Sequence, residues 1–479
     1  MNFSVLERGG RMVAYGVVSA VLVLAPWLFG AWEGWWFWPL ATAIFVASAC
    51  FAVALLAGRH RPDEEAVPRA VGPFLAACLP FLFYAGVRAW QTPVLLDAER
   101  SVLLVLTPLL VGVILVYGTT PGQRRRLFLV LAANLLLLGL YGIINHLLTG
   151  SRLVLWEDGY PKYWKDHRAS GSYFCPDHFS GIMEIGFAVG LAVVLRARRA
   201  LAPLLFGGLL LAVVTAGVVI SKSRGGGLTL VAILLGGLVW GLSHRSPASR
   251  PWWRLAALCF LSAAILLVPL VAKSYTKRFL DIVGWNAARG KPPREALQIA
   301  LARLERDSRP QMYAAAYRAW RTSPWVGIGP GMHETLWPHF APSDAGDRAA
   351  GRWPKFPNYA YNSNAVHNEW LQLLEEYGVF GFALFALPAA WCVVLLRRPL
   401  AQEARREDDA QRHAPHGDGD RTLALAALLA AVAMATHAFV DFNMQMPATN
   451  WLVAALIALG LTAPSVADDD HTAARPESA

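Results

Sequence analysis

Apolar residues fall in blocks of about 17 to 22, each long enough to cross a hydrocarbon core near 30 Å, separated by short polar turns. Reading these windows predicts twelve membrane helices, at 12–29, 36–57, 71–87, 101–117, 127–148, 179–195, 201–220, 225–242, 255–271, 379–396, 422–440 and 447–463. The expected fold is therefore an all-α polytopic membrane protein with one large, partly helical loop. It divides into 1–271 (nine spans with short loops), 272–378 (the large loop), 379–463 (three spans) and a polar tail, 464–479. The first block follows Arg8 and Arg11 and leads into a second span without a convincing cleavage site, so a retained helix is expected rather than a signal peptide.

Composition agrees: of 479 residues, 56% are hydrophobic and 16% charged, and the mean hydropathy is +0.39. Soluble classes are nearly excluded by these values. The net charge of +10 invites a nucleic-acid reading, but in a membrane protein the place of the charge matters more than its sum. Arginines at 59–69, 124–126, 196–199, 245–254 and 397–421 fall in alternate loops and mark one side as cytoplasmic, with both termini on it. No nucleic-acid partner follows. The opposite loops keep basic residues against that rule, at Arg88 and Arg100, at Arg152, Lys162, Lys165 and Arg168, and at Lys222 and Arg224. The 272–367 loop carries fourteen Lys and Arg against seven Asp and Glu. A long loop crosses largely regardless of charge, so this is either a solvated surface or an electropositive chamber for a polyanionic substrate. Residues 397–421 read as a flexible, charged connector. The five cysteines show no CxxC spacing, and neither a zinc site nor a disulfide framework follows.

Four segments carry candidate chemistry. In 365–378, Trp370, Leu371, Leu374 and Tyr377 recur at helical spacing, predicting an amphipathic helix at the membrane surface with a break at Gly378. His367 then lies near its N-terminus, where the positive helix end favours a neutral imidazole able to act as a base; Asn368 is beside it. In the short turn Ser221-Lys222-Ser223-Arg224-Gly225-Gly226-Gly227, Arg224 is held at the bilayer surface, where arginines are costly and usually functional, against snorkelling as the plainer reading. Ser308-Arg309-Pro310 reads as a helix start, placing Arg309 where anions are favoured. The following Pro324-Trp325-Val326-Gly327-Ile328-Gly329-Pro330-Gly331 reads as a chain reversal more than as a phosphate cradle. In 171–184, Asp177 and His178 could meet substrate hydroxyls or cap a helix, and Glu184 enters the membrane and needs a partner.

Together these segments resemble the O-antigen ligase and Wzy-type polymerase superfamily of bacterial inner membranes, over roughly 125–455. His367-Asn368 followed by Gly378 is similar to the signature of its large loop, Ser223-Arg224-Gly225 to its Ser-Arg-Gly turn, and Arg309 through Tyr313 with the glycine turn to its arginine helix, with Tyr313 in place of Trp. Val440-Asp441-Phe442 through Pro447-Ala448 looks like its penultimate-loop motif. Cys175-Pro176-Asp177-His178-Phe179 departs from the usual Asn-Pro-Asn-His-Phe, so asparagine contacts are not carried over.

The resemblance implies a GT-C-like, metal-independent, inverting glycosyl transfer on the periplasmic face, with no cofactor. The donor would be an undecaprenyl-pyrophosphate-linked glycan, the acceptor a glycan or lipid A-core. Arg224 and Arg309 would clamp the pyrophosphate, His367 would take the acceptor proton, and Lys222, Asn368, Asp177, His178 and Glu184 are further possible contacts. A ligase and a polymerase share this donor chemistry. A transporter or flippase of lipid-linked oligosaccharide is the alternative, and it predicts charge spread along the spans rather than clustered in loops.

Overall fold

Apolar stretches bounded by glycine, proline and polar turns become helices along most of the chain. The computed structural model describes residues 3–58, 67–154, 157–158, 167–197, 200–243, 285–305, 308–341, 363–408 and 418–463. In order these form α1 (Phe3–Leu24), α2 (Gly34–Ala57), α3 (Val71–Trp90), α4 (Leu95–Tyr117), α5 (Pro121–Thr149), α6 (Pro176–Arg196), α7 (Leu201–Ser221) and α8 (Arg224–Ser243). There follow α9 (Trp285–Ala288), α10 (Pro293–Glu305), α11 (Ser308–Thr322), α12 (Met332–Phe340), α13 (Glu369–Asp408), α14 (Asp418–His437) and α15 (Pro447–Leu461). Among the described residues one two-stranded ladder, Leu153–Val154 with Glu157–Asp158, interrupts the helices.

Apart from that ladder the regular structure of the described residues is helical, as in a polytopic helical membrane protein. Helices α2 to α7 and the Glu369–Ala401 part of α13 are seven segments long and apolar enough to cross a bilayer, and α8, α14 and α15 contribute shorter apolar stretches. Every predicted span lies on a helix except 255–271, which falls outside the described residues. Some bounds differ. Helix α1 starts at Phe3 and stops at Leu24, because Pro26 lacks an amide hydrogen and disfavours a helical residue before it. The connector is shorter than expected, since α13 continues to Asp408.

Helix starts follow local chemistry. Thr120 and Gln123 form a reciprocal capping box, with Pro121 preset for the first turn of α5. Arg124, expected as a solvent-facing orientation marker, is buried and donates to the carbonyls of Val116 and Thr119, closing the end of α4.

Helix α6 is the most enclosed span, with 83% of its apolar window buried. It packs on α7, α14, α8 and α5, and residues without side chains permit the close approach that membrane helices need. Gly181 on α6 is one: a Cβ there would lie 2.4 Å from Asn443 Cγ, just before α15.

The large loop is tied to the span that follows it. Helix α13 breaks at Gly378, whose φ of 66° and ψ of −173° suit only glycine. Around that break Ile328 N and Gly329 N donate to Glu375 O and Glu376 O (both 2.9 Å), and Val379 N and Phe380 N donate to Pro324 O (3.0 Å) and Trp325 O (3.1 Å). Arg88 of α3 adds bonds to Val326 O and Gly327 O. Trp90, Trp325, Phe380 and Phe439 are all more than half exposed at this level, the aromatic rim expected at a membrane interface.

Candidate functional site

The segment before α13 carries the first candidate. Asn368 accepts from Leu371 N at 3.0 Å and so caps the helix. His367, one residue earlier, has a left-handed φ of 56°, a conformation uncommon outside glycine and enriched at functional positions. Tyr313 of α11 donates to His367 O at 3.2 Å. Helix α13 is seated on the end of α14, with Glu369 N donating to Ala438 O at 2.7 Å.

Beyond α14 the chain turns through Asp441, whose backbone N donates to His437 O at 3.0 Å. Its carboxylate is almost fully buried and receives His367 Nδ1 at 2.9 Å on Oδ1. The other oxygen lies 3.8 Å from Arg309 Nη2 at the start of α11. Burial alone would raise the Asp441 carboxyl, but the hydrogen bond and charge of His367, with smaller contributions from His178 and His437, hold it well below the usual carboxylate range. An ionised carboxylate only accepts, so Nδ1 carries the proton, which leaves Nε2 as the nitrogen that can exchange one with a substrate.

A second set surrounds the start of α6. Arg168 is buried and bridges two elements, donating to Asp177 Oδ1 at 2.7 Å and to Ser221 O at 2.8 Å. Asp177 also accepts from Ser223. The turn Ser221–Arg224 is thus tied to α6, with Lys222 in a left-handed conformation (φ 53°) closing α7 and Arg224, half-buried, opening α8. Gly225 lies against Val440 and His437, which brings the Arg224 end of α8 beside the Asp441 turn.

Of the residues singled out in the sequence, His367 and Arg309 meet at Asp441, and Arg224 stands on the helix end next to it. Others are otherwise occupied. Asn368 is a helix cap, Asp177 is engaged by Arg168 and Ser223, and His178 is buried between the rings of Trp32 and Phe442. Glu184 is fully buried and ion-paired to His437 at 2.7 Å, so its carboxylate reaches no surface where a sugar could be met. The glycine turn is no phosphate cradle: the amides of Gly327, Ile328, Gly329 and Gly331 go to Ser323 O, Glu375 O, Glu376 O and Glu376 Oε2. Lys162 and Lys165 lie outside the described residues. Sequence reading gave Asp441 no role and passed over His437; neither has a local signal, though Asp441 sits in a motif already noted.

Residues 209–386 match the family model of the O-antigen ligase. This stretch is similar to the O-antigen ligase family. It runs from α7 to α13 and contains Arg224, Arg309 and His367, while Asp441 and the start of α6 lie outside the matched stretch. No curated protein matches the chain significantly. The matched stretch thus sits within a polytopic helical protein.

Proposed function

We propose that the protein transfers a glycan from an undecaprenyl-pyrophosphate carrier to an acceptor hydroxyl, with inversion at the anomeric carbon. The reaction takes place on the membrane face that carries the large loop, which on this reading is the periplasmic face of the inner membrane, with both termini cytoplasmic. The observation that carries it is the contact of His367 Nδ1 with Asp441 Oδ1 at 2.9 Å, with Arg309 3.8 Å from the other oxygen.

Asp441 fixes the imidazole tautomer and steadies the charge that His367 gains. His367 Nε2 takes the proton of the acceptor hydroxyl as its oxygen attacks the anomeric carbon. The bond from that carbon to the pyrophosphate oxygen breaks, and the leaving group departs with its electron pair. Arg224 and Arg309 hold that group and compensate the charge as it builds, by charge-assisted hydrogen bonds. The reading calls for no cofactor, since guanidinium charge serves the pyrophosphate. A growing glycan as acceptor makes the protein a polymerase, and lipid A-core makes it a ligase.

Purified protein in a lipid-linked donor assay tests this. His367→Ala and Arg224→Ala should each remain folded and inserted and give no product; wild-type yield from both would overturn the assignment. Deletion of the gene separates the two acceptors on lipopolysaccharide gels: core bearing a single repeat marks a polymerase, bare core with intact repeat-unit assembly a ligase.

A further inference from the structure

Glu184 and His437 are both fully buried, on two spans, with Oε2 and Nδ1 2.7 Å apart. Three of their four side-chain polar atoms are engaged, and His437 Nε2 is buried with no hydrogen-bond partner. Glu184 Oε1 accepts from Ser180 Oγ at 2.9 Å. His437 is the last residue of α14, and its carbonyl receives Val440 N (2.9 Å) and Asp441 N (3.0 Å), which sets the turn that presents Asp441. Against the other side of the pair lies the first turn of α8. A Cβ on Gly226 would stand 2.0 Å from Ser180 Oγ and 3.0 Å from Glu184 Oε1; one on Gly225 would stand 2.9 Å from His437 Nε2 and 2.8 Å from Val440 Cγ2. Backbone alone fits there, and Arg224 is the next residue.

A buried ion pair is a poor source of net stability and holds only in good geometry, and ionisable side chains inside a membrane are rare without a functional reason. This pair is closed to bulk water, yet at it the helix bearing Asp177, the turn bearing Asp441 and the helix opened by Arg224 all abut. We propose that the Glu184–His437 pair is a positioning clasp that holds the Arg224 end of α8 against the Asp441 turn and so sets the spacing between the pyrophosphate clamp and the base. The inference rests on the functional reading above, in which Arg224 binds the carrier pyrophosphate. Glu184 thereby acts through Arg224 rather than on the glycan.

The test is a double-mutant cycle on binding of undecaprenyl pyrophosphate to the full chain in nanodiscs, with thermal melts to establish folding. Arg224→Ala and Glu184→Gln should each weaken binding about tenfold, and the double variant should bind no more weakly than Arg224→Ala alone, because the clasp acts through that arginine. Gly225→Ala provides a second route if Glu184→Gln does not fold: it leaves both ionic partners in place, lifts the helix end off His437, and should show the same non-additivity. Additive losses would make the pair a general structural contact and overturn the proposal. So would wild-type affinity in folded Glu184→Gln or Gly225→Ala. Wild-type affinity in Arg224→Ala removes the functional reading itself, and the clasp with it.

Discussion

His367 Nδ1 and Asp441 Oδ1 lie 2.9 Å apart across 74 residues of chain, one before the start of α13 and the other in the turn after α14. A carboxylate at that nitrogen fixes which face of the imidazole is left to work.

Asp441→Asn tests that relationship. The amide fills the same space but cannot hold the tautomer or the charge, so kcat for glycan transfer should fall by about a hundredfold or more, with donor KM changed much less. Steady-state kinetics on the purified variant checks it; an unchanged kcat would remove Asp441 from the mechanism.

Arg309→Lys separates charge from geometry. Lysine keeps the positive charge and loses the planar fork, so transfer should drop by roughly tenfold or more, an interaction of about 1.4 kcal/mol. Full activity would argue against a clamp at this position.

The low pKa of Asp441 has a consequence for stability. A carboxyl whose folded value is depressed stabilises the fold fully above its unfolded value, near about 4, and loses that contribution as pH falls through the lower folded value. Between pH 8 and 5 its share of the melting temperature should stay constant. Below about 4 the wild type should lose stability more steeply than Asp441→Asn, which has nothing there to protonate. Melts across this range, side by side, give the comparison.

Gly378→Ala addresses the break in α13. At φ 66° and ψ −173° a side chain is strained by roughly 1–3 kcal/mol, and the added Cβ would lie 2.4 Å from the Trp325 carbonyl. A lower melting temperature is expected, together with loss of transfer, since the turn that docks α11 loses its seat. A variant with wild-type melting and activity would refute the docking role.

Much of this architecture is written locally. Apolar blocks mark the spans, and the spacing of Trp370, Leu371, Leu374 and Tyr377 with Gly378 foretells a surface helix that breaks where α13 kinks. His367 near a helix start is equally legible. Its acid partner is not, because the contact depends on how α13 meets α14, which no periodicity encodes. The same holds for Glu184: an ionisable group within a span announces that it needs a partner, but only packing shows that the partner is His437 and that no substrate reaches it. The glycine turn is ambiguous in sequence for a like reason, since the groups that take the amides of Ile328, Gly329 and Gly331 belong to Glu375 and Glu376, far along the chain.

The docking of that turn also makes α11 a lever. Its C-terminal end is pinned to the break in α13, and its other end, thirteen residues before Thr322, carries Arg309. At 1.5 Å per residue the arm is about 20 Å long, so a tilt of about 10° at the pivot carries the far end about 3 Å. The distance between Arg309 and Asp441 is of the same order, 3.8 Å, so on the function proposed above a small rotation of one helix is enough to take the arginine from the carboxylate to a phosphate.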